Sequence, residues 1–171
     1  MAQPDSLNIV HVPRRYAPSH WGGTESVVES LCLHLTRLGH RQQVFTSRAL
    51  DRRSGSLDRG VAVRRFSHFY PYWGLSSAQV QQLDLRAGNL FSFSLLRALW
   101  REPELHVLHC HTGKRMGGIV RWVARRRKLP YVVSLHGGAL DVPAAEAARW
   151  VEPTRGHWEW GRILGAWVGS R

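Results

Sequence analysis

At 171 residues, 43% hydrophobic and 21% charged, the chain has the length and composition of one folded domain, or one and a fraction, which excludes a wholly disordered chain. Two cysteines, Cys32 and Cys110, exclude a disulfide scaffold and read as buried thiols in apolar stretches. The balance of 24 Lys+Arg against 12 Asp+Glu gives a net charge of +12, a surface that favours phosphates, nucleic acid or anionic lipid without choosing among them.

No run reaches the roughly 18 apolar residues of a membrane span. The opening MAQPDS lacks a basic segment followed by an apolar run, so no secretory signal is read there. The expected location is cytoplasmic, with peripheral contact at the inner face of the membrane.

The run LNIVHVP at 7–13 is short, β-rich and ended by proline, as a buried strand is. A loop over 14–23 carries Pro18 and the pair Gly22 and Gly23. From Thr24 the period changes. Val27, Val28, Leu31, Leu35 and Leu38 mark one face of a helix that Gly39 ends. A strand follows at 44–46, then a polar loop over 51–60, then a strand at 61–66 near a sheet edge. Residues 68–77 read as aromatic and irregular. A helix is expected over 90–100 and a strand over 107–111. The helix over 118–127 puts Ile119, Val120 and Val123 on one side and Arg121, Arg125 and Arg126 on the other. A last apolar strand spans 131–136, and helices are expected over 144–151 and 158–168. Short apolar strands alternating with amphipathic helices predict a doubly wound α/β domain, mainly parallel, with helices on both faces.

In such sheets ligands bind beyond the carboxyl ends of the strands. Three of those ends carry histidine beside glycine or other polar residues: His11 before Arg14 and Arg15, His109 and His111 before Thr112, Gly113 and Lys114, and His136 before Gly137 and Gly138. Gly22 and Gly23 precede a helix whose free N–H groups suit a phosphate or diphosphate. Arg14, Arg15 and Lys114 lie beside the rim and are placed to meet phosphate. The dinucleotide and Walker fingerprints are both missing. His109-x-His111 has a spacing that zinc can use, but no further ligand set accompanies it, so no metal is expected. On that strand His111 is expected to face ligand and His109 to be packed, with Cys110 on the opposite face. The run Arg125 to Lys128 is either a solvated helix end or an anionic-lipid patch. No RNA-binding signature or helix-turn-helix appears, so nucleic acid is not an expected partner.

These segments resemble the N-terminal, acceptor-side domain of retaining glycosyltransferases of family 4, which have the GT-B fold. The first match is the strand at 7–13, the stretch Gly22 to Glu25, the helix to Leu38-Gly39-His40 and the strand through Val44. The second is the strand ending at His111, and the third is PYVVSLHG at 130–137, where Ser134 stands in place of the usual threonine.

The resemblance implies one Rossmann-like half of a two-domain enzyme that moves a hexose-type sugar from a nucleotide-diphosphate sugar to an acceptor hydroxyl without a metal or other cofactor. The acceptor would be a saccharide or a lipid-linked molecule. It implies that His136 serves catalysis by bonding the transferred sugar. Gly22, Gly23, Thr24 and Glu25 would form the loop beside the donor diphosphate and acceptor. His11, Arg14, Arg15, His111, Lys114 and Gly137 would form the acceptor-side rim. Residues 1–171 are expected to be this one domain, incomplete at its C-terminal end and inactive without the nucleotide-sugar domain, which a separate chain would have to supply. The competing expectation is a non-catalytic module that binds an acceptor or an anionic membrane surface.

Overall fold

Five consecutive buried residues, NIVHV, form β1 (Asn8–Val12) in the interior of a six-stranded sheet. The structure is a computed structural model and describes residues 6–87 and 90–136. After β1 come α1 (Gly23–Arg37), β2 (Arg41–Ser47), β3 (Gly55–Asp58), β4 (Val61–Phe66), α2 (Ser77–Gln82), α3 (Phe93–Arg101), β5 (Val107–Cys110), α4 (Lys114–Arg127) and β6 (Tyr131–Val133). The sheet order is β3-β4-β2-β1-β5-β6. Every pair is parallel except β3 with β4. The chain builds outward through β2 and β4 on one side of β1, then crosses to β5 and β6 on the other. This is the doubly wound, Rossmann-like α/β fold, and its order reverses between β1 and β5.

Each face of the sheet carries its own apolar core. Val10, Val12, Phe45, Leu108 and Cys110 pack against Leu95 and Leu99 of α3 and Met116, Val120 and Val123 of α4. On the opposite face Val44, Val61 and Val63 pack with Val28 and Cys32 of α1 and with Tyr16. Burying each such aliphatic side chain contributes roughly 1.5–3 kcal/mol. Both thiols are buried and free.

Several boundaries and faces differ from the sequence expectation. The polar stretch 51–60 contains β3, paired antiparallel with β4 from Gly55 opposite Arg64 to Asp58 opposite Val61. Its residues have little strand preference of their own. An ion pair from fully buried Arg65 to Asp58 holds the hairpin, and Arg65 also lies 3.1 Å from Asp51. On α1 the buried residues are Glu25, Val28 and Cys32, whereas Val27 is 42% exposed and Leu38 71%. Of the expected stripe through 27, 28, 31, 35 and 38, Val28 is buried and Leu31 and Leu35 are partly buried, so the helix is rotated toward the face of Glu25, Val28 and Cys32, where Glu25 finds a partner inside. Beyond 77 the structure adds α2, capped reciprocally by Ser76 and Gln79, and a π-helical turn over Leu83–Ala87. The helix expected from 90 starts at Phe93, capped by Ser92, and the one expected from 118 starts at Lys114. The last strand ends at Val133, and its three residues are exposed. The helices expected over 144–151 and 158–168 lie outside the described residues.

Candidate functional site

Strand register brings the histidines together. β1 and β5 pair with His11 opposite His109. His111 follows two residues later, its N–H donating to the Val12 carbonyl at 3.0 Å. Ring centroids are 5.1 Å apart for His11 and His109, 5.4 Å for His11 and His111, and 4.0 Å for His109 and His111. β6 adds the next member. It lies beside β5, and Ser134 N–H donates to the Cys110 carbonyl, which leads the chain on to His136. His136 Nε2 lies 2.9 Å from His111 Nδ1. His111 Nε2 lies 3.1 Å from His11 Nδ1, and His11 Nε2 lies 2.8 Å from Gln42 Oε1. His109 Nε2 is bonded instead to Ser134 Oγ at 2.8 Å.

Burial makes these rings poor bases. It pulls His11 down to about 4, with the Gln42 hydrogen bond pulling the other way, and it pulls His111 down to about 2 with help from His109 and His11. His109 is lowered by burial and by His136. One ligand nitrogen from each of His11, His109 and His111 falls within 4.8 Å of the others. Both nitrogens of His11 and both of His111 are already hydrogen-bonded, so a metal held there would displace at least one of those bonds.

A polar cleft of about 210 Å³ opens beside His111, lined by Arg14, Arg15, Thr24, Glu25, Leu85 and Thr112. It sits where β1 ends and α1 begins. Gly22 caps α1, and a Cβ there would come within 3.1 Å of Glu25 Oε2. At Gly23 a Cβ would meet nothing within 4 Å, so the first backbone of the helix is open on that side. Glu25, only 2% exposed, pairs with Arg15 at 3.3 Å, and Arg15 also donates to the His20 carbonyl at 2.8 Å. Arg14 donates to the carbonyls of Asp84 at 2.6 Å and Leu85 at 2.9 Å. Burial and the neighbouring Arg15 lower its guanidinium to about 10, which leaves it cationic at neutral pH.

The expected rim is thus divided. Arg14, Arg15, Thr24, Glu25 and His111 share the cleft. His11 does not reach it: the ring is fully buried under His111, because its strand lies in the interior of the sheet. Lys114 is not among the cleft residues; it opens α4 as an exposed residue with φ of 57°. His111 lines the cleft although it is 5% exposed, while His109, expected to be the packed one, is only partly buried. Gly137 lies outside the described residues. Sequence reasoning missed Gln42 and Leu85, and it noted Thr112 only as part of the strand end after His111. Gln42 carries the one available signal, a polar residue two positions before Val44 on the same strand face.

A search among curated proteins returns no match. The family model of the glycosyl transferase 4-like domain matches residues 22–166, from the cap of α1 onward. Because that match takes in most of the chain, the protein belongs to the glycosyl transferase 4-like family, and its function is of glycosyltransferase type.

Proposed function

We propose that this domain serves the transfer of a hexose-type sugar, with retention of anomeric configuration, from a nucleotide-diphosphate sugar to a hydroxyl of a saccharide or lipid-linked acceptor. In that reaction the anomeric C–O bond to the diphosphate breaks and a C–O bond to the acceptor forms. The acceptor hydroxyl gives up its proton, and the nucleoside diphosphate leaves. The observation that carries the reading is the cleft at the end of β1, where cationic Arg14 and Arg15 meet the open N-terminus of α1. Charge that develops on a departing diphosphate is stabilised by such fixed donors and dipoles. His136, bonded to His111 of that cleft though not among its lining residues, is assigned to the sugar hydroxyls. No metal is given a role.

The test is turnover of a panel of nucleotide-diphosphate hexoses with saccharide and lipid-linked acceptors, by wild type and His136→Ala, each assayed together with the nucleotide-sugar domain. The expected result is a loss of at least about 100-fold in turnover with little change in thermal unfolding, the scale of one lost stabilising donor. Equal loss of activity and stability, or no transfer with any donor when the nucleotide-sugar domain is supplied, would overturn the reading.

A second reading rests on a different surface. α3 and α4 contain no Asp or Glu. The rings of Trp100 and Trp122 meet across them at 5.5 Å and are 46% and 44% exposed. Arg126 lies 5.5 Å over Trp122, and Arg97, Arg101, Arg121 and Arg125 are exposed on the same two helices. No helix among the described residues is long and apolar enough to cross a membrane. Indoles among exposed arginines suit the surface of an anionic bilayer. Binding to phosphatidylglycerol vesicles that fades with salt, and weakens in Trp100→Ala/Trp122→Ala, is the expected outcome. Equal binding to phosphatidylcholine, or none to either, removes it.

A further inference from the structure

Gln42, His11, His111 and His136 run in single file from β2 to a residue three positions beyond β6, in steps of 2.8, 3.1 and 2.9 Å. Both ring nitrogens of His11 and both of His111 are used in the file. A neutral imidazole has one N–H and one bare nitrogen. Each inner ring must therefore donate on one side and accept on the other, so all protons in the file point the same way. Burial keeps both inner rings neutral at physiological pH, His11 being 0% exposed and His111 5%.

A neutral file has two arrangements. If the Gln42 oxygen faces His11, every ring is protonated at Nε2 and His136 has a bare Nδ1. If the Gln42 NH2 group faces His11, every ring is protonated at Nδ1. Gln42 Nε2 is buried without a hydrogen-bond partner, and Gln42 Oε1 makes the bond to His11. The bond to His11 is then what the amide contributes, and its orientation is passed along the file.

We propose that Gln42 and His11 are positioning residues that decide, through His111, which nitrogen of His136 carries its proton. The amide is placed with its oxygen toward His11, so the built-in arrangement gives His136 a bare Nδ1 that accepts a hydrogen bond. A sugar or acceptor hydroxyl can supply that proton, whereas a fully ionised diphosphate cannot. The role at the sugar rests on the transfer reading above; the coupling along the file does not.

The test is long-range ¹H–¹⁵N spectroscopy of the full chain labelled in its histidine rings, at neutral pH and without substrate. In the wild type, His11, His111 and His136 are expected to share one tautomer, protonated at Nε2. In Gln42→Met the separated resonances of the bare and protonated nitrogens of His136 move toward each other as both tautomers populate. The same shift is expected in His11→Phe, although His11 does not touch His136. Opposite tautomers in wild-type His11 and His136, or a His136 unmoved by either substitution, would overturn the proposal. If neither variant folds, the wild-type spectrum still decides it. Because no donor is present, failure here is distinct from failure of sugar transfer in the turnover assay.

Discussion

Arg15 Nε lies 3.3 Å from Glu25 Oε1, and this ion pair stands directly behind Gly22. A Cβ on Gly22 would come within 3.1 Å of the Glu25 carboxylate and 3.7 Å of the Arg15 guanidinium. The loop after β1 and the first turn of α1 are thereby locked to each other, with one wall of the cleft between them.

The neighbouring glycines should separate packing from ligand approach. Gly22→Ala crowds the pair and removes a favourable cap, and should lower unfolding stability by about 1 kcal/mol. Gly23→Ala meets open space and sits inside a helix, so its stability should stay within about 0.5–1 kcal/mol of wild type or rise. The same methyl should weaken affinity for a nucleotide-diphosphate sugar. Urea denaturation together with calorimetric titration of donor would check both, and unchanged donor affinity in Gly23→Ala would show that no ligand approaches that backbone.

Glu25→Ala leaves Arg15 beside the cleft without its carboxylate. Breaking a buried pair costs about 3 kcal/mol, and here the lower end applies, since the Arg15 side chain is 19% exposed and keeps the His20 carbonyl. The expected readout is a lower urea midpoint with an unchanged slope.

Asp58→Ala should cost more, about 3–5 kcal/mol, because it strands a guanidinium whose side chain is 0% exposed. Ser56, the Tyr16 carbonyl and Asp51 remain as partial partners. Amide exchange should rise first in β3, which has no helix or apolar core of its own. Uniform loss of protection across the sheet would mean that Arg65 holds the whole domain.

Acid should destabilise the fold through the histidines. His11 titrates at about 4 when folded against 6.5 when free, with Gln42, His109 and His111 as its polar neighbours. Between those values the unfolded chain binds the extra proton, so stability is full above about pH 6.5 and falls as pH drops toward 4. The loss from His11 alone is about 3 kcal/mol, and His111 adds to it. The slope should shrink in His11→Phe, measured by urea midpoints across that range. An unchanged slope would show that another group titrates there.

Much of the molecule was legible in the residues. β1, β4 and β5 follow from short β-rich runs, and in α4 Ile119, Val120 and Val123 are buried opposite exposed Arg121, Arg125 and Arg126, as their spacing requires. The histidines read at three strand ends do come together in one cluster. What escaped was whatever depends on a distant partner. β3 has no strand pattern of its own and exists because β4 and Arg65 hold it. The turn of α1 is set by Glu25 seeking Arg15, which an apolar stripe at 27, 28, 31, 35 and 38 could not reveal.

Periodicity along the chain was enough to determine the alternation of strands and helices, because burial of an apolar face is a local property of spacing. The file from Gln42 to His136 was decided only in three dimensions. It needs the β1–β5 register to set His11 beside His109, and it needs β6 to run alongside β5, so that residues as much as 100 positions apart bond in one line. Hydrogen bonds reach only about 3 Å, and no spacing in a sequence states which strand will lie next to which.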